Sequence, residues 1–318
     1  MEKSYFSVYT VPMIQKYTYR RLTWIDLETP TSDEVAKVIS DYHLHPLVGE
    51  ELLNKSLKPK VDFYDDYIYL ILHIPVRTKV GDHYVVTDKE VDFVIGKEFI
   101  ITTKYDTVEP LHNFSKMFEV NSVLDKSGIG EHAGFIFYHM LKRLYKNVSH
   151  ELDSIRAGLV EVEKNIFLGK ERLMVEELSY LSRELIDFKQ TTRMHKDVLQ
   201  NFQTVAVQFF GSDFAYYGAD LISEYTKIYD AIVANRELVT DLRDTNDSLL
   251  NTKQNEAIKT LTMLAFSTFP LTLIAAIFAM DTDHKPIVGS AYDFEIIVGL
   301  MILILASIFA FFKNKKWL

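Results

Sequence analysis

The sequence predicts an α+β domain, followed by a long-helix stalk and two transmembrane helices. Three observations carry this reading. Strand and helix signals interleave over the first ~120 residues. A helical pattern without proline runs from Asp220 to Phe269. Two uncharged apolar runs, Leu261–Met280 and Ile296–Phe312, lie at the C-terminal end. Twenty residues at 1.5 Å rise cover roughly 30 Å, the thickness of a bilayer core. The boundaries expected are an α/β domain over 1–125, a helical region and stalk over 126–260, spans over 261–280 and 294–312, a connecting loop over 281–293 and a basic tail over 313–318.

In the first part, Tyr67–Ile74 and Glu90–Thr103 are rich in β-branched and aromatic residues, as strands are. Gly96-Lys97-Glu98 between apolar stretches predicts a hairpin turn. Thr31 and Glu34 have the spacing of a capping box, in which each side chain satisfies the other residue's backbone donor, so a helix starts there. The pattern turns helical near Glu131, with one helix over His132–Phe167, a break at Gly169 and a second over Glu171–Phe210.

From Asp220 the residues Leu221, Tyr225, Ile228, Ile232, Asn235, Val239, Leu242, Asn246 and Leu249 alternate at steps of four and three, a heptad seam with two Asn inside it. Two readings are open: self-association of the stalk, or packing of one helix on its own subunit. A continuous helix of some sixty residues into the first span is expected, ~90 Å long.

Charge limits function and sets orientation. The net charge is −9, so the basic excess of a nucleic-acid-binding surface is missing. There is no cysteine, which excludes disulfides and thiolate sites. Met1–Pro12 has no apolar run of signal-peptide length. Lys253 and Lys259 precede the first run, and Lys313, Lys315 and Lys316 follow the second. Between the runs Asp281, Asp283, Asp293 and Glu295 face one Lys285. Lysine-rich flanks stay in the cytoplasm, so both termini are expected inside the cell membrane and the acidic loop outside.

Asn255, Ile258, Leu261 or Thr262, Ala265, Phe269, Thr272 and Ala276 recur at steps of three or four on one face of the first span. Such a face lines a pore if several copies surround an axis, with apolar rings that gate by dewetting and polar rings that hold cations. Equally, it packs against a neighbouring helix. Asp281 lies just past the outer end, where a ring of carboxylates would favour divalent ions; the alternative is an exposed loop carboxylate. Pro270 removes one backbone donor from this helix.

Several stretches together resemble the CorA family of magnesium and divalent-cation transporters. Near the N-terminus they are Trp24-Ile25-Asp26-Leu27, His45-Pro46-Leu47, Glu51-Leu52-Leu53-Asn54, Pro59-Lys60-Val61 and Tyr64-Asp65-Asp66-Tyr67, in the family's order. Asn255-Glu256-Ala257-Ile258-Lys259-Thr260-Leu261-Thr262 resembles the start of the family's pore helix, Pro270–Ala275 its PLTFIAG segment, and Lys313–Leu318 its basic tail. The resemblance implies a funnel-shaped homopentamer in the bilayer that passes Mg2+, held shut by cytoplasmic Mg2+ between subunits. It points to Asp220 as a stalk-base carboxylate for that ion; Asp65 and Asp66 are candidate partners by their position in the acidic Tyr-Asp-Asp-Tyr stretch alone. Ordinary solvated carboxylates are the alternative for all three. One departure stands out. The family's Gly-Met-Asn mouth is here Ala279-Met280-Asp281. A carboxylate can ligate a metal directly where an amide holds a hydrated ion, so Zn2+, Co2+ or Ni2+ transport, or a non-conducting sensor or scaffold, stay open beside Mg2+.

The sequence contains no P-loop, nucleophile elbow, His-Glu-x-x-His or Gly-x-Gly-x-x-Gly pattern, so no enzyme is expected. His43 and His45 form a His-x-His pair, a metal pair or a surface turn. Glu161, Glu163, Glu171, Glu176, Glu177 and Glu184 flank Gly169, where they concentrate cations or simply solvate a helix-hairpin tip.

Overall fold

The computed structural model describes residues 13–118, 131–281, 287–289 and 292–315. The chain divides into two compact units, 1–243 and 244–318. The expected boundary at 125/126 lies outside the described residues, and the elements on both sides of it pack into the first unit.

The first unit is built on a mixed sheet of β1 (Met13–Tyr19), β2 (Leu22–Glu28), β3 (Lys60–Phe63), β4 (Tyr67–Val80), β5 (His83–Gly96) and β6 (Phe99–Lys104), in the order β1-β2-β6-β5-β4-β3. Only β2 and β6 run parallel; the other neighbours are antiparallel. Both faces of the sheet are covered, which is why its central strands read as nearly continuous apolar runs. On one face α1 (Ser32–Tyr42) and α2 (Pro46–Glu51) close over Ile25, Leu27, Tyr69, Ile71, Val94 and Ile101. The capping box forms: the Glu34 N–H donates to Thr31 Oγ1, and the Thr31 N–H donates to the Glu34 carboxylate at 2.9 Å.

The other face is covered by α3 (Glu109–Phe118), α4 (Gly134–Phe167), α5 (Glu171–Thr192) and α6 (His195–Phe210). Phe137 of α4 meets the edge of Phe93 on β5 at 5.1 Å, and Phe202 of α6 lies 4.7 Å beyond it.

The structure corrects two element boundaries. β4 extends past Ile74 to Val80, through Pro75. β3 pairs only with Ile68–Ile71, so at Pro75 the strand has one neighbour, and an edge tolerates a residue without an N–H. The helix expected over Glu171–Phe210 is broken after Thr192. The Thr192 hydroxyl donates to the Phe188 carbonyl at 2.8 Å, a back-bond that bends helices. Beyond the break, buried His195 is tied in place: its Nε2–H donates to the His73 carbonyl of β4, and its Nδ1 accepts from the Tyr145 hydroxyl. Burial lowers this imidazole to about 4, so it sits there neutral.

α7 (Ala215–Ala279) is one continuous helix with Pro270 inside it. Its seam from Leu221 to Leu242 is buried in the first unit. Asn235 on that seam donates to the Leu152 carbonyl of α4 at 3.2 Å. Of the two readings of the heptad, packing on its own subunit accounts for this stretch.

The second unit contains the remainder of α7 and α8 (Asp293–Asn314). Both helices are long and apolar enough to cross a membrane, and no residue of either helix's most apolar 18-residue window is buried. That separates them from core helices of a soluble fold, which are buried all round. Asp293 and Glu295 begin α8, where carboxylates complement the positive helix end. Most of the 281–293 loop and the tail residues Lys316, Trp317 and Leu318 lie outside the described residues.

Candidate functional site

In the second unit α8 runs alongside α7, with the rings of Phe266 and Phe312 6.5 Å apart. Thr262 and Phe266 face Ile304, Ser307, Ile308 and Phe311 across a groove of about 640 Å3. Thr262, one of two alternatives for its position on the expected pore face, therefore turns toward α8, and Leu261 keeps the other side. Asn255, Ile258, Leu261, Phe269, Thr272 and Ala276 are exposed, and Ala265 is half-buried. The largest of them, Phe269, is 75% exposed. Within the chain, α8 thus takes a different side of α7 and leaves this face open.

The Ser and Thr hydroxyls along the apolar part of α7 are satisfied by their own helix. Thr260, Thr262, Ser267, Thr268 and Thr272 each donate to the carbonyl four residues back. Polar groups in lipid need such internal partners. The consequence for Thr272 is chemical. Its only hydrogen goes to the Thr268 carbonyl at 2.9 Å, so what it retains is acceptor lone pairs, the character a cation or its water needs. The helix ends at Ala279; Met280 and Asp281 follow it, both exposed.

In the first unit Asp220 is not a bare carboxylate. Its Oδ2 accepts from the Tyr138 hydroxyl at 2.6 Å and from Lys142 Nζ at 2.7 Å. Lys142 first, then Tyr138, hold the carboxyl below the usual range, and Asp220 in turn holds the Lys142 ammonium above its own. A metal ion at Asp220 has to share it with, or displace, an internal cation. Sequence reasoning missed both partners. Tyr138 and Lys142 are one helical turn apart, but no local signal ties them to a residue some eighty positions later. Asp65 and Asp66 are exposed in the turn between β3 and β4. Among the described residues no group of three or more His, Cys, Asp or Glu is arranged to hold a metal ion, so a single chain does not bring Asp65, Asp66 and Asp220 together as one site.

Of the remaining sequence candidates, the two histidines have structural roles. His45 caps α2 through its Nδ1, which accepts from the Leu47 N–H, and His43 ends α1 with a φ of 52°. Glu161, Glu163, Glu176 and Glu177 are exposed. Glu171 and Glu184 instead are buried, and Glu184 is paired with Arg77 of β4 at 2.5 Å. Arg77 also stacks over the Tyr84 ring.

A large α/β unit followed by two unburied apolar helices defines a two-span integral membrane protein. The model of the CorA-like Mg2+ transporter protein family matches residues 19–315, and the chain belongs to that family. It is 23% identical over 297 residues to the cobalt/magnesium transport protein CorA of Thermotoga maritima, covering 93% of this chain and 83% of that one. It is 22% identical to the protein of the same description from Methanocaldococcus jannaschii, covering 94% and 92%. The complete structure of the CorA magnesium transporter from Methanocaldococcus jannaschii superposes with a TM-score of 0.79 at 22% identity, covering 94% of this chain and 92% of that one. Members of the family are transporters of Mg2+ and other divalent cations, and the chain is a membrane transporter rather than an enzyme.

Proposed function

We propose that several copies of this chain, five by family resemblance, surround a common axis and pass divalent cations, Mg2+ foremost, along one face of α7. The observation that carries this reading is that face: Asn255, Ile258, Leu261, Ala265, Phe269, Thr272 and Ala276, left open by α8 in a chain of a Mg2+ transporter family. One face per chain encloses a pathway only when repeated around an axis, which is the logic of a cyclic oligomer. Ile258, Leu261 and Phe269 then form apolar rings that dewet when the pore is shut, and Asn255 and Thr272 form polar stations. Ala279, Met280 and Asp281 form the outer mouth.

Lysine-rich flanks favour both termini on the cytoplasmic side of the cell membrane. A membrane potential supplies about 2.3 kcal/mol per charge per 100 mV, so roughly twice that for a divalent ion. Cytoplasmic Mg2+ at Asp220, with Asp65 or Asp66 of a neighbouring subunit, would favour the shut population, and its loss would shift the balance toward open. The ion there competes with Lys142 for Asp220.

Asp281 in place of the family's Asn favours a second reading, a Zn2+, Co2+ or Ni2+ transporter, because a carboxylate ring can strip water from such an ion. Uptake into liposomes holding the purified protein, with Mg2+, Zn2+, Co2+ and Ni2+ tested separately against empty liposomes, decides between them. Mg2+ entry driven by an inside-negative potential supports the first reading. Zn2+ entry without Mg2+ moves the protein to the second. No flux from an intact oligomer replaces both with a non-conducting sensor or scaffold.

A further inference from the structure

A cleft of about 450 Å3 opens in the first unit where the junction of α5 and α6 meets α7. That is within the range of small-ligand pockets. The helix break after Thr192 brings the end of α5 and the start of α6 to this one place. The junction supplies Lys189, Arg193 and Lys196, with Asp197 as the one carboxylate. The side chains of these three cations have no ion-pair or hydrogen-bond partner among the described residues. Lys189, in the last turn of α5, and Arg193, its C-cap, complement the negative end of that helix. Lys196 has no such compensation. It is the second residue of α6, at the positive end of a 16-residue helix where a cation is disfavoured, and Met194 before it offers no side-chain cap. An anion in the cleft offsets both costs.

Tyr225, on the α7 wall of the cleft, points to a ligand independently. It is only 4% exposed, with its ring near that of buried His195, yet its hydroxyl has no hydrogen-bond partner among the described residues. A buried tyrosine hydroxyl usually finds a partner, because leaving it unpaired forfeits the bond it makes in water. Burial pushes this phenol up, so at neutral pH it keeps its hydrogen to donate. The neighbouring Thr226 hydroxyl is already given to the Ile222 carbonyl at 2.8 Å. The cleft therefore offers a guanidinium, two ammonium groups and a neutral donor. That set matches an anion with three oxygens and two charges better than a carboxylate, which has two oxygens and one charge. Arg presents a planar fork to a phosphoryl group and Lys a point charge. Tyr229 completes the α7 wall with a ring that is 37% exposed, an apolar surface beside the charged end.

We propose that this cleft binds a small soluble phosphate ester. Arg193, Lys196 and the Tyr225 hydroxyl hold its phosphoryl oxygens, Lys189 adds charge, and the apolar part of the ester covers the Tyr229 ring. Asp197 faces the same anion with the opposite effect, so removing its charge strengthens the site.

The test is isothermal titration of the full-length protein in detergent, free of divalent ions, with phenyl phosphate, inorganic phosphate and benzoate as separate probes. Saturable binding of phenyl phosphate is expected, weakening as NaCl is raised. Inorganic phosphate, which lacks the ring, and benzoate, which lacks the phosphoryl group, should each bind several-fold more weakly. Lys196→Ala should weaken phenyl phosphate binding at least fivefold and Tyr225→Phe several-fold. Asp197→Asn should tighten it, and Lys37→Ala, at an exposed lysine of α1 across the sheet, should leave it unchanged. Circular dichroism of each variant confirms that it is folded. The proposal is overturned if phenyl phosphate does not bind saturably, if benzoate or inorganic phosphate binds as tightly, or if the folded Lys196→Ala and Tyr225→Phe variants bind it as the wild type does.

Discussion

Asp92→Asn should raise the stability of the first unit at neutral pH, against the usual expectation for a buried substitution. Asp92 lies on β5, fully buried. Its Oδ2 accepts from the Tyr69 hydroxyl at 3.3 Å, while Oδ1 makes no hydrogen bond, the nearby Tyr105 hydroxyl donating to the Glu51 and Asn54 carbonyls instead. Glu90, two residues away on the same face of the strand, is its neighbour, and both Glu90 oxygens accept from the Ser56 N–H at 2.8 and 2.9 Å. Two carboxyls side by side with no donor between them are satisfied when one carries the proton. Burial, then the charge of Glu90, pushes the Asp92 carboxyl well above the usual range; Glu90 is raised too, by burial. The folded state therefore binds a proton that the unfolded chain releases near pH 4. Stability from this pair is fully present below the unfolded value and is lost as pH rises through the folded one, at up to about 1.4 kcal/mol per pH unit for one proton. An Asn at position 92 imitates the protonated acid: its amide donates to Glu90 and its carbonyl accepts from Tyr69. Urea unfolding followed by the fluorescence of buried Trp24, in a Trp317→Phe background, reads the effect between pH 5.5 and 8. The wild type should weaken with rising pH, and the variant should show a flatter profile and gain roughly 1–3 kcal/mol at pH 7.5, the desolvation cost of a buried polar group left unsatisfied. A wild-type profile flat across this range, with the variant less stable throughout, would refute the proton-sharing account.

Other predictions follow from the same physical reasoning. Arg77→Ala leaves Glu184 buried and unpaired and should cost about 3–5 kcal/mol in the same unfolding assay. Asn235→Ala removes a buried hydrogen bond to the Leu152 carbonyl, which keeps its partner within α4, and should cost about 0.5–1.5 kcal/mol, with hydrogen exchange rising first where α4 and α7 meet. Asp281→Asn should change ion preference or rate in liposome flux; identical flux for all four ions would remove Asp281 from the mouth.

What was legible in the sequence was local. The two spans follow from the length of uncharged runs, and the α1 start from two residues three positions apart. The continuity of α7 follows from an absence of proline before Pro270, and even there the helix continues because one missing donor does not outweigh the rest of the ladder. What was not legible depends on residues far apart in the chain. The break before His195 is fixed by a carbonyl on β4, 122 residues earlier. The heptad of α7 has the same spacing whether its partner is another copy or α4, and it is the burial of Leu221–Leu242 within the first unit, with the Asn235–Leu152 bond, that separates the two. Asp220 was singled out by resemblance, but the Lys142 ammonium that compensates it lies 78 residues away.

The chain's lack of cysteine allows the most direct test of the proposed pathway. Cysteines placed singly at Ala265, Thr272 and Ala276 lie on the open face of α7, while cysteines at Leu264 and Leu271 lie ~100° round the helix from Ala265 and Thr272. Mg2+ uptake into liposomes should be blocked by a positively charged thiol reagent at the first three positions and unaffected at the other two. Block at Leu264 and Leu271, with none at Ala265, Thr272 and Ala276, would place the ion pathway on another face of the helix and contradict the account.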